Sequence, residues 1–133
     1  MKDLVWDNTL SVGIDEIDED HRRLVELFNI LKHSIASGDT ASYIEAVLEE
    51  LISCTVWHFK HEERLMLKHG YEDFQEHKSE HQELIESAKE LQQEFLKKAA
   101  ELSGEEIQFL EHWLTGHIYG ADMALGNYLN DMM

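Results

Sequence analysis

Seven side chains of metal-ligating type, His21, His58, Glu62, His77, His81, His117 and Asp122, stand almost entirely on helical core stripes where a soluble helical protein normally places leucine. A stripe of apolar residues recurring every three to four positions marks the helix face that packs inward. Polar groups carried into a core without partners are costly. Five imidazoles and two carboxylates therefore restrict the fold to one that gathers them where all can be satisfied together, and a bound metal is the partner that best does this.

The helices themselves are easily bounded, because proline is absent and the seven glycines are widely spaced. After an irregular arm over residues 1–17, Asp18 is expected to cap a first helix whose stripe runs His21, Leu24, Phe28, Leu31, Ile35 and which stops at Gly38. A second helix starts at Thr40 or Ala41, carries Ile44, Leu48, Leu51, Thr55, His58, Glu62 and Leu65, and ends at Gly70. Asp73 and Glu76 stand in capping-box spacing before a third stripe of Phe74, His77, His81, Leu84, Ala88, Leu91 and Phe95. Ser103 and Glu106 repeat that spacing before Ile107, Leu110, Leu114 and His117, and a helical tail from Asp122 onward includes Leu125, Tyr128 and Leu129. The pattern predicts an all-α fold. It is an up-down-up-down four-helix bundle with an irregular N-terminal arm and a short C-terminal helix, forming one domain over residues 1–133.

In such a bundle the ligand-type residues meet. Successive helical residues turn by about 100°, so His58 and Glu62 share a face, as do His77 and His81. His21 lies early in the first helix, His58 and Glu62 late in the second, His77 and His81 early in the third, and His117 late in the fourth. Antiparallel packing brings all of them to one level. Asp122 fits only with a distortion, since five residues rotate it by about 140° from His117 in a regular helix. A π-bulge or break near Gly120 would return it inward, whereas regular α-helix there would leave it out of reach.

Charge and composition narrow the function. A net charge of −17 repels phosphate backbones and makes nucleic acid an improbable partner. The glutamates of runs such as Glu45, Glu49, Glu50 and Glu83, Glu86, Glu90 are expected on solvated faces. No apolar run approaches the roughly 20 residues of a membrane span. The first residues lack the apolar stretch of a secretory signal, so a cytoplasmic location is expected. Cys54 is expected to be a small buried hydrophobe. Angular offset puts His33 and His112 toward solvent, leaves His61 either solvent-facing or supporting a ligand, and sets His69 at the second helix's C-terminal dipole. Trp57, Trp113 and Tyr119 read as core aromatics more readily than as pocket lining.

The residues also carry a resemblance to the hemerythrin family, in its bacterial single-domain form. It is visible in Val5-Trp6-Asp7, Ser11-Val12-Gly13-Ile14, Ile17-Asp18 with His21, and His58-Phe59 with Glu62-Glu63 and Met66. It continues in Gly70-Tyr71, His77 with His81, Trp113-Leu114, and His117-Ile118 with Asp122. The resemblance implies two non-heme iron ions joined by an oxo or hydroxo bridge. One is held by His77, His81 and His117 and the other by His21 and His58, with Glu62 and Asp122 as bridging carboxylates. It implies reversible O2 binding, by a carrier, store or scavenger, at a centre open to O2, NO or other small ligands.

Ligand counting leads the same way if two octahedral metals share both carboxylates and one solvent-derived oxygen. Three imidazoles then complete one coordination sphere, and two leave the other with a single open position. Imidazole with carboxylate suits Fe(II), although Zn and Mn also accept such sites. Oxidising diiron proteins of the ferritin type use Glu-x-x-His helices, and no glutamate lies three residues before any histidine here. Five neutral imidazoles disfavour the high-valent states that O2 cleavage needs. Two other classes stay open on the sequence: a diiron peroxidase, NO reductase or ferrous oxidase, and an O2 or redox sensor acting through a partner.

Overall fold

Four helices, α1 (Asp15–Ala36), α2 (Ala41–Lys68), α3 (Phe74–Lys97) and α4 (Gly104–His117), run up-down-up-down, and α5 (Met123–Met132) prolongs the last of them. They are seen in a computed structural model that describes residues 4–6, 10–97 and 104–132. Ser103 of the second predicted capping box, Asp7 of the arm and the side chain of Tyr119 lie outside the described residues.

The breaks fall where backbone chemistry requires them. At Gly38, φ is +69°, a left-handed conformation that glycine adopts without strain, and the Asp39 N–H donates to the Ser34 carbonyl at 3.0 Å to close the end of α1. Thr40 caps α2, its hydroxyl oxygen accepting from the Tyr43 N–H at 3.3 Å. Gly70, at φ +65°, ends α2 in the same manner, with the Tyr71 N–H donating to the Met66 carbonyl at 2.9 Å.

Asp18 does not cap α1. The helix begins three residues earlier, at Asp15, with Ile14 in the capping position and no side-chain cap. The Asp18 carboxylate turns back instead and accepts from the Ser11 hydroxyl and, at 2.9 Å, the Val12 N–H. It thereby ties down the arm, while Asp15, Glu16 and Asp18 together place negative charge at the positive end of the helix dipole. The arm is irregular but docked. Leu10, Val12 and Ile14 are buried, and Leu4 exchanges two hydrogen bonds with the Asn29 side chain.

The distortion expected between His117 and Asp122 is present at the same end of the bundle. From His117, α4 passes through a five-residue π-helical segment, Ile118–Asp122, directly into α5. Leu125 and Leu129 are fully buried, so α5 belongs to the same core as Phe28, Leu31, Leu48, Met66 and Phe95. The glutamates named above as solvent-facing are exposed. Cys54 is half-buried rather than buried, because it borders a groove between α1 and α2. Among the described residues no helix is long and apolar enough to cross a membrane.

Candidate metal centre

All seven ligand-type side chains are buried, from fully enclosed Glu62, Asp122 and His21 to His117 at 6% exposure, and they meet at one level of the bundle. α1 contributes His21, α2 His58 and Glu62, α3 His77 and His81, and α4 His117. The π-helical segment supplies Asp122: its wider turn adds one residue and carries the carboxylate back over His117, with 2.9 Å between Asp122 Oδ1 and His117 Nε2.

The two carboxylates divide the imidazoles into two groups. Glu62 Oε1 lies 3.2 Å from His77 Nε2, 2.9 Å from His81 Nε2 and 3.8 Å from His117 Nε2. Its other oxygen, Oε2, faces His58 Nε2 at 3.0 Å and His21 Nε2 at 3.6 Å. Asp122 splits in the same sense, with Oδ1 at 3.2 Å from His77 Nε2 and Oδ2 at 2.8 Å from His21 Nε2. Two clusters result, one of His77, His81 and His117 and one of His21 and His58, each completed by both carboxylates.

The fit to metal can be tested on the buried atoms. His21 Nε2, His58 Nε2, Glu62 Oε2 and both Asp122 oxygens crowd together yet make no well-directed hydrogen bonds. Such orphaned buried atoms are rare in proteins. Donor atoms that converge at short range without pointing at one another, and that belong to imidazole and carboxylate, are of a kind and arrangement that metal satisfies. The site is a buried His/Glu/Asp cluster able to hold metal.

Three further carboxylates aim the imidazoles, and the sequence alone did not single them out. His58 Nδ1 donates to Asp20 at 2.7 Å, His81 Nδ1 to Glu63 at 3.0 Å and His117 Nδ1 to Glu80 at 2.8 Å. A carboxylate can only accept, so each ring keeps a proton on Nδ1 and turns its Nε2 inward, where a metal could replace any proton there. Each acid reaches forward to the next helix: α1 supports α2, α2 supports α3 and α3 supports α4. His61 also joins Asp20, at 2.7 Å, and so supports a ligand indirectly. Phe59 stacks on the His81 ring, 3.8 Å between centroids and 3° from parallel.

Charge follows from this packing. Burial pushes the His58 imidazole down, but Glu62 and Asp20 outweigh it and hold it at about 10. For His77, burial is likewise overcome by Asp122 and Glu62, giving about 9. His21 and His117 are also raised against their burial, His117 strongly. Conversely, burial would raise Glu62 and Asp122, and the surrounding imidazoles hold both below the usual carboxylate range. Without metal, the cluster is an ion-paired network whose protons occupy the positions a cation would take.

One face of the cluster adjoins a cavity. It leaves about 10 Å³ for the centre of a water-sized molecule, on the order of one small guest. Leu24, Phe59, Leu84, Trp113, Leu114 and Ile118 make its walls mainly apolar. His21, His58, His117 and Asp122 also line it, whereas His77 and His81 do not. Trp113 is thus pocket lining as well as core, held by its indole N–H on the Leu84 carbonyl at 2.8 Å. Trp57 is neither: it is 58% exposed. His33 and His112 are exposed, and His69 sits at the C-cap of α2.

Comparison with known proteins agrees with this geometry. Residues 12–129 match the family described as the hemerythrin HHE cation binding domain. A bacteriohemerythrin of Pseudomonas paraeruginosa is 38% identical over 123 residues, covering 92% of this chain and 78% of that protein. One from Stenotrophomonas maltophilia is 37% identical over 121 residues, covering 91% and 78%. A crystal structure of a wild-type hemerythrin superimposes with a TM-score of 0.84 at 33% identity, covering 93% of this chain and 95% of that one.

Proposed function

Because this chain belongs to the hemerythrin family, we propose that it binds O2 reversibly at a non-heme diiron centre, as a carrier, store or scavenger rather than an enzyme. His77, His81 and His117 would hold one iron and His21 and His58 the other, with Glu62 and Asp122 common to both groups of donors. Iron held there would supply the electrons for reversible O2 binding.

The observation that carries the proposal is the position of the cavity. It borders both His21 and His58, the half of the cluster with one imidazole fewer, whereas of the other three imidazoles only His117 lines it and His77 and His81 do not. The half with room for an outside ligand is therefore the half beside an apolar space of a small molecule's size. O2 is neutral and apolar, and such walls admit it while disfavouring water and ions. The chain's own contribution is to fix geometry and exclude water. Asp20, Glu63 and Glu80 hold protons on the outer ring nitrogens, and the apolar walls keep the inner face dry.

The test is to load and reduce the protein anaerobically, count iron per chain, admit O2 and follow the visible charge-transfer band as gas is removed and restored. Two irons per chain and a band that appears and fades through repeated cycles are expected. Catalytic consumption of O2, peroxide or NO without a stable adduct contradicts the proposal and favours an enzyme.

A further inference from the structure

The centre is nearly enclosed: His21 and Glu62 are fully buried, His58 is 1% exposed, and His117, the most exposed of the seven, is 6% exposed. Any ligand must therefore pass a side chain that moves. On the outside, α1 and α2 frame a groove of about 460 Å³ whose exposed surface is mainly apolar, although Asp20, Arg23 and Glu50 border it beside Leu24, Trp57 and His58. Its wall and the wall of the inner cavity share two residues, Leu24 and His58. A second groove, of about 270 Å³ between α3 and the π-helical segment, carries Asp73, Glu76 and Glu80, touches the cluster at His77, and shares no residue with the inner cavity.

The two shared residues differ in freedom. His58 is pinned on its outer side by Asp20 at 2.7 Å and faces Glu62 on its inner side at 3.0 Å. Leu24 is held only by packing, and an aliphatic side chain exchanges rotamers far faster than a bundle opens. We propose that small neutral gas molecules reach the centre through the α1/α2 groove, with Leu24 as the door between groove and cavity. The exposed Trp57 and the half-buried Cys54 form its outer mouth. This rests on the O2-binding reading above.

A door changes how fast a ligand passes and leaves its equilibrium alone. Stopped-flow association and dissociation of O2 are to be measured on the reduced iron-loaded protein, its Leu24→Ala and Leu24→Phe variants, and the wild type alkylated at Cys54 with a bulky maleimide. Leu24→Ala is expected to speed both rates by about fivefold or more, and the other two to slow both by a similar factor. Kd should stay the same in the alkylated protein, because Cys54 borders the outer groove and not the inner cavity. The alkylated protein needs no refolding, so it decides the matter even if a Leu24 variant folds poorly. Rates unchanged in all three overturn the route. A changed Kd in the alkylated protein also overturns it, because the groove would then be acting on bound ligand and not on its passage.

A second readout separates this proposal from the one it rests on. In zinc-loaded protein carrying Trp6→Phe and Trp57→Phe, collisional quenching of Trp113 by O2 reports gas arriving in the inner cavity without any iron chemistry. If the wild type shows no reversible O2 band, the O2 reading fails on its own. Slower quenching in Leu24→Phe then still supports the route, and unchanged quenching overturns it.

Discussion

An imidazole presents one nitrogen to a metal dependably only when its other nitrogen is held. Asp20 does this for His58, Glu63 for His81 and Glu80 for His117. Removing such a carboxylate typically weakens metal binding by about 10- to 100-fold. Asp20→Ala is expected to fall in that range in chelator competition. Asp20→Asn should lose less, since its amide oxygen can still accept, and the exposed Glu86→Gln should lose nothing. Helical spacing made His58, Glu62, His77 and His81 legible, because each pair shares one face of its own helix. The supporting acids were not legible in that way. Each sits beside one of the seven clustered residues in sequence but holds an imidazole on another helix, so its role depends on how the helices are set against one another. Trp57 was misread for a related reason: a lone aromatic at helical spacing does not say which side of the stripe it takes.

At the level of elements, glycine has opposite roles at two helical sites. A Cβ on Gly126 would lie 2.3 Å from the Val12 carbonyl oxygen, where the arm crosses α5, whereas one on Gly116 would meet nothing within 4 Å. Gly126→Ala is expected to destabilise by about 1–3 kcal/mol, since the arm must shift. Gly116→Ala should stabilise by about 0.5–1 kcal/mol through helix propensity. Urea unfolding of both variants, with the slopes compared, checks the pair. The π-helical segment belongs to this scale too. A spacing of five between His117 and Asp122 cannot face one way in a regular helix, so the sequence required a distortion there, and Ile118–Asp122 is where it lies. The start of α1 was less readable. Asp18 has the chemistry of a cap, but its partners are Ser11 and Val12 in the arm, and no local pattern distinguishes the two uses.

For the molecule as a whole, the metal-free and metal-loaded forms should respond differently to pH. In the metal-free protein His58 titrates at about 10 and His77 at about 9, against 6.5 for an unperturbed imidazole. Folded values above the unfolded one mean that their stabilisation is complete below about pH 6.5 and is lost as pH rises toward 9–10. Glu62 and Asp122 are shifted down, so their contribution is present above the ordinary carboxylate range and is lost on acidification. Metal-free protein should therefore be most stable near pH 5 to 6.5, on the order of one unit either side. Iron displaces the imidazole protons, so the stability gained on loading should grow from pH 6.5 to 9. Denaturation midpoints of both forms across that range test this. The bundle was readable from sequence because absent proline, paired stripes and well-placed glycines all agree on it. The cavity was not, since an empty space is made by side chains from α1, α2, α3 and α4 together.

The most direct test of the dinuclear centre is anomalous diffraction at the iron edge from crystals of the reduced, iron-loaded protein. Two peaks per chain are expected, one among His77, His81 and His117 and one between His21 and His58, with Glu62 and Asp122 reaching both. A single peak, or iron bound anywhere outside these seven side chains, would contradict it.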